Sequence, residues 1–125
     1  MRVLLIDDDA LVRQSLADTL ESEGIEVDGL ASAEDALVLL GAGQVPDVLV
    51  TDIDLGPGLS GLDLIAIARE RHPEVEVVLI SGLSDPGERH ALGRRERFLR
   101  KPFAPAVLVE AIRDAAASAQ AQAEA

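Results

Sequence analysis

The sequence predicts an α/β fold, a parallel sheet with helices on both faces. Two patterns predict it. Short apolar runs alternate five times with helical periodicity. Most of those runs are apolar on consecutive residues, as strands buried on both faces are. The length of 125 residues fits one domain able to bury a core.

Arg2 to Ile6 reads as the first strand. Asp9 caps the helix that follows, with Leu11, Val12, Leu16 and Leu20 on one face and Gly24 as its stop. Ile25 to Leu30 is the second strand. Ser32, with Asp35 three positions on, opens a helix that Gly41 closes. Asp47 to Thr51 is the third strand, followed by the loop Leu55-Gly-Pro-Gly-Leu59. Ser60 with Asp63 forms a capping box for a helix with Leu62, Ile65 and Ala66 inward. Val75 to Ile80 is the fourth strand. Asp85, Pro86 and Glu88 mark a fourth helix start, and the helix is weakened by Gly93. Arg97 to Arg100 is the fifth strand. The last helix starts near Ala104 and places Leu108, Ala111, Ile112 and Ala115 inward. From Ala116 the chain is expected to fray or to begin a linker, giving one domain over 1–118 and a flexible tail or linker start over 119–125.

Composition narrows the function classes. Apolar residues are 48% but aromatics only 2%, so Leu, Val, Ile and Ala must build the core. The net charge of −12 repels nucleic acid and anionic lipid. No apolar run reaches the roughly 18 residues of a membrane span. Met1 leads straight into a strand, so no signal peptide is expected. There is no cysteine, hence no disulfide and no thiolate metal site. A cytoplasmic location is expected.

Ligands of open α/β sheets sit at the carboxyl ends of the strands. Here those ends carry Asp7-Asp8-Asp9, then Asp52 with Asp54 two residues on, then Ser81-Gly82, then Lys101-Pro102-Phe103. If strands one and three are neighbours, Asp7, Asp8 and Asp52 face one another, and like charges so close call for a cation. A hard divalent ion with oxygen ligands answers that need, and magnesium suits few carboxylates, some waters and a phosphate oxygen. Asp9 fits a plain helix cap, whereas Asp7 and Asp8 stand at the strand end itself. Lys101 is the only lysine among eleven basic residues. Its compact ammonium suits one phosphoryl oxygen better than arginine's wide fork does. Ser81 by itself is an ordinary strand-end serine, and its meaning comes from its company.

In this order and spacing, Ile6-Asp7-Asp8, Val50-Thr51-Asp52, Ile80-Ser81-Gly82 and Lys101-Pro102-Phe103 resemble the receiver domains of bacterial response regulators, over nearly the whole chain. The resemblance implies a flavodoxin-like (βα)5 doubly wound sheet of order 2-1-3-4-5. It implies that Asp52 accepts a phosphoryl group from a histidine kinase or phosphotransfer protein. Mg2+ would be held by Asp8, Asp52 and the backbone carbonyl of Asp54, with Asp7 assisting through water. Lys101 and the Ser81 hydroxyl would contact the phosphoryl group, and the Lys101–Pro102 bond would be cis. Ser81 and Phe98 would form the switch that changes the surface of helix four, strand five and helix five. That surface would serve a downstream protein or a C-terminal output domain. Such a domain is a signalling phosphoacceptor, not an enzyme beyond phosphorylating and dephosphorylating itself.

Three departures from the family pattern stand out. Phe98 replaces the commoner tyrosine, the loop after Asp52 is one residue longer, and Asp54 adds a carboxylate. Arg89, Arg94, Arg95, Arg97, Arg100 and Lys101 cluster on the expected output surface, either as a docking patch or as a solvated balance to the acids. Asp52-Ile-Asp54 also resembles the Asp-x-Asp of aspartate-nucleophile phosphatases, which place it after their first strand in longer chains. The alternative to phosphotransfer is a phosphorylation-independent interaction module of the same fold, but such modules typically lose the acids or the lysine.

Overall fold

The computed structural model of the protein describes residues 1–82 and 92–124, with side chains through residue 121. The helix expected from Asp85, and Arg89, lie outside the described residues. Chain order is β1 (Arg2–Ile6), α1 (Ala10–Ser22), β2 (Glu26–Leu30), α2 (Ala33–Gly41), β3 (Val48–Asp52), α3 (Gly61–Arg71), β4 (Glu76–Ser81), β5 (Glu96–Arg100) and α4 (Pro105–Glu124). The five strands form one parallel sheet of order β2-β1-β3-β4-β5. This is the topology the sequence resemblance implies.

Strand alternation divides the core in two. Val3, Leu5, Val48, Val50, Val78 and Ile80 pack beneath α1 and α4. Leu4, Ile6, Leu49, Val77 and Leu79 pack beneath α2 and α3. Each helix start has the chemistry its sequence announces. Asp9 Oδ1 accepts from the backbone N–H groups of Leu11 and Val12, Ser32 Oγ from that of Asp35, and Ser60 with Asp63 closes a reciprocal capping box.

The structure corrects several inward assignments. Leu11 is 83% exposed, because it lies in the first turn of α1. Leu16, Ala17 and Leu20 carry the buried stripe instead. In α3, Ala66 faces outward and Leu62 is half-buried, while Leu64, Ile65 and Ala68 are buried. Gly41 ends α2 as its last helical residue, and the left-handed turn falls at Gly43, with φ +83°.

At the other end of the chain, α4 stays helical through Glu124. Alanine and glutamine offer little to a core, but they are among the best helix formers, so propensity extends α4 past its last buried turn.

Candidate functional site

The register of the sheet assembles the site. Ile6 pairs with Thr51, Asp52 with Ile80, and Ser81 with Arg100. The residues that follow therefore leave the same edge side by side. Asp7, Asp52 and Lys101 continue the alternation of Leu5, Val50 and Leu99, so all three fall on the α1/α4 side.

Lys101 Nζ lies 2.8 Å from Asp52 Oδ2 and 3.6 Å from Asp7 Oδ2. The other oxygen of Asp52 accepts from the Asp54 backbone N–H at 2.9 Å. Asp7 Oδ1 accepts from the Asp9 N–H at 2.9 Å, and the Asp7 carbonyl accepts from Arg13 Nη1 at 2.7 Å. Asp7 and Asp52 are buried, at 2% and 6% exposure, while Asp8 is exposed. The Lys101–Pro102 bond is cis.

Electrostatics at this edge are strained toward the negative. Burial pushes the Asp7 carboxyl above its ordinary 3.8, and the charges of Asp52 and Asp8 add to that. The Asp9 N–H and Lys101 oppose the rise without cancelling it. For Lys101, burial lowers the ammonium's value. The hydrogen bond to Asp52 and the charges of Asp52 and Asp7 outweigh burial and raise it overall, so the side chain stays cationic.

These residues fit a hard divalent cation by donor chemistry. All the acidic groups are carboxylates, and two of them are buried with one ammonium between them. Among the described residues no three acidic or imidazole side chains form a ready-made cage. Magnesium does not need one, since it keeps several waters and takes one or two carboxylates. Gly56 lies beside Asp8, where a Cβ would stand 3.4 Å from Asp8 Oδ2.

Ser81 is fully buried, and its Oγ donates to Asp54 Oδ2 at 2.6 Å. Phe98 is half-buried against the α2/α3 side of the core, with the Arg100 guanidinium 5.9 Å from its ring centre.

Sequence reasoning missed one feature of the basic segment. Glu76 on β4 is fully buried and is flanked by Arg95 Nη1 at 2.9 Å and Arg97 Nη1 at 3.3 Å. Glu96 in turn accepts from Arg69 Nη2 at 3.1 Å. Arg95 and Arg97 thus neutralise an internal acid. The available signal was a glutamate inside an otherwise apolar strand.

Comparison with known proteins places the geometry. The chain matches the response regulator receiver domain family over residues 3–113. It is 38% identical over 118 residues to the C4-dicarboxylate transport transcriptional regulatory protein DctD of Pseudomonas aeruginosa, covering 91% of this chain and 25% of that protein. It is 39% identical over 117 residues to the transcriptional regulatory protein FixJ of Azorhizobium caulinodans, covering 89% of this chain and 53% of that one. The chain therefore spans between a quarter and about half the length of these relatives. Among solved structures, a response regulator receiver protein from Sinorhizobium medicae superposes with a TM-score of 0.87 at 28% identity, covering 95% of this chain and 96% of that one.

Proposed function

This chain belongs to the response regulator receiver domain family, and from that premise we propose that it is the phosphoacceptor of a two-component phosphorelay, with Asp52 as the residue phosphorylated. A receiver domain of this kind is a signalling module and not an enzyme by itself. The observation that carries the reading is the placement of Lys101 Nζ against Asp52 Oδ2 at 2.8 Å, with buried Asp7 beside them.

The residues divide the chemistry among them. An Asp52 carboxylate oxygen attacks the phosphorus of a phosphohistidine on a histidine kinase or phosphotransfer protein. The new O–P bond forms as the P–N bond breaks, and the imidazole leaves with the bonding electron pair and then takes a proton. Lys101 binds an oxygen of the transferring group and offsets its charge. Asp7 steadies the Lys101 ammonium at 3.6 Å, and the Asp54 N–H holds the other Asp52 oxygen at 2.9 Å. Asp8, Asp52 and the Asp54 carbonyl would hold Mg2+, with Asp7 acting through water. When bound, that ion supplies further neutralisation of phosphoryl charge.

The output is a conformational bias. A phosphoryl group on Asp52 draws in the Ser81 hydroxyl, and Phe98 follows into the space vacated. The surface that carries β5 and α4 changes with it. Its reader is a downstream protein or a C-terminal output domain, as the regulatory names of the longer relatives suggest. Among the described residues no helix is long and apolar enough to cross a membrane; action in the bacterial cytoplasm is part of this proposal.

Intact-protein mass spectrometry after incubation with acetyl phosphate and Mg2+ tests the reading. One phosphoryl adduct is expected in the wild type, absent in Asp52→Ala and absent with EDTA. No adduct from either acetyl phosphate or a partner kinase would leave the chain as a phosphorylation-independent interaction module.

A further inference from the structure

Asp54 holds two groups that the proposed switch must use. Its backbone N–H donates to Asp52 Oδ1 at 2.9 Å. Its side chain accepts from Ser81 Oγ at 2.6 Å. The two residues leave neighbouring strands, β3 and β4, so this short bond bridges the site across the strand ends. Ser81 is fully buried, and a buried hydroxyl donating to a carboxylate is held more firmly than one donating to a neutral oxygen. A serine hydroxyl has one proton to donate. While Asp54 accepts it, a phosphoryl oxygen on Asp52 cannot.

We infer that Asp54 is a latch on this switch: its carboxylate keeps the Ser81 hydroxyl engaged in the unphosphorylated protein, and the phosphoryl group must take that hydroxyl from it. The inference rests on the reading of Asp52 as phosphoacceptor and Ser81 as the moving hydroxyl. Asp54 is a positioning residue here, acting through Ser81. Two effects open the latch together. The phosphoryl oxygens compete for the same proton, and their negative charge repels the Asp54 carboxylate from two residues away. The closed latch also lowers the fraction of molecules ready to receive a phosphoryl group, so apparent affinity for that group falls in proportion.

A double-mutant cycle tests this with beryllofluoride as a phosphoryl mimic, in saturating Mg2+. Dissociation constants are measured for wild type, Asp54→Ala, Ser81→Ala and the double variant. Losing a carboxylate from an acidic site favours any anion, with or without Ser81. Only the latch makes the gain depend on Ser81. The Asp54→Ala gain in the Ser81 background is therefore expected to exceed that in the Ser81→Ala background by about tenfold, the worth of one hydrogen bond to a charged group. Asp54→Asn, which keeps an acceptor oxygen, should fall between wild type and Asp54→Ala. Equal gains in both backgrounds, within about twofold, overturn the latch. A metal-free measurement stands apart from binding: NMR couplings of the Ser81 β-protons should show one side-chain rotamer in wild type and averaging in Asp54→Ala. Unchanged couplings also overturn it. A wild type that binds no beryllofluoride sinks the phosphoacceptor reading instead, and the NMR result then still decides whether the latch exists.

Discussion

Arg95 Nη1 lies 2.9 Å from Glu76 Oε2, and the two partners sit in different environments: the Glu76 side chain is fully buried, while that of Arg95 keeps 20% of its surface in water. Arg97, at 3.3 Å from the other carboxylate oxygen, is 29% exposed. Removing the acid frees two side chains that can turn toward solvent. Removing the bases strands a buried charge. Replacing both arginines with alanine should cost about 3–5 kcal/mol, whereas Glu76→Met should stay within about 1 kcal/mol of wild type. Urea unfolding midpoints check this. Equal losses from the two changes would mean that the cluster acts by packing and not by charge.

Asp7 gives the pH dependence its sign. Its folded value is raised, chiefly by burial, above the ordinary 3.8. A group raised by folding contributes stability that is full below 3.8 and is lost as pH rises through the raised value. Ionised Asp7 is therefore a burden at neutral pH in metal-free protein. Asp7→Asn keeps an oxygen to accept the Asp9 N–H and sheds the charge. Its Tm in EDTA should exceed that of wild type at pH 7, and the gap should close as the pH falls toward 3.8. A gap that is constant across that range would assign the effect to something other than Asp7 ionisation.

The same burden predicts a response to magnesium. A cation that binds only the folded site stabilises by mass action, about 2.7 kcal/mol at a hundredfold excess over its dissociation constant. Mg2+ should raise the Tm of wild type above that in sodium chloride of matched ionic strength, and EDTA should reverse the rise. Asp8 is exposed beside the buried pair, so Asp8→Asn should fold normally and lose most of the increment. An undiminished increment in Asp8→Asn would remove Asp8 from the metal site.

Legibility in the sequence followed locality. The strand ends could be read because each apolar run stops at a polar residue, and because register then puts Asp7, Asp52 and Lys101 at one edge. The caps at Asp9, Ser32 and Ser60 could be read because their partners lie within three residues. Leu11 could not, since helical periodicity does not say which turns have a neighbour above them. Glu76 needed the pairing of β4 with β5, which aligns Val77 with Glu96 and Val78 with Arg97. The Ser81–Asp54 bond needed the path of the chain after β3, where side-chain direction no longer alternates.

Gly61 binds fold and site together most tightly. It opens α3 directly against the end of β3, and its N–H donates to the Ile53 carbonyl at 3.0 Å. A Cβ there would stand 2.2 Å from the Asp52 carbonyl oxygen and 2.9 Å from both the Asp52 carbonyl carbon and the Ile53 Cα. All three are backbone atoms, so no side chain can swing aside. Gly61→Ala should cost about 3 kcal/mol, at the upper end for overpacking. The relaxation that accommodates it must shift the peptide of Asp52 itself, so the folded variant should also accept phosphate from acetyl phosphate more slowly than wild type. Gly24→Ala is the control. Gly24 has φ +80° but nothing within 4 Å of its would-be Cβ, so it carries only the left-handed backbone cost of about 1–2 kcal/mol and should label at the wild-type rate. Urea unfolding with the labelling time course separates the two, and a Gly61→Ala protein as stable as Gly24→Ala and labelled normally would show that α3 can move away from β3 without disturbing Asp52.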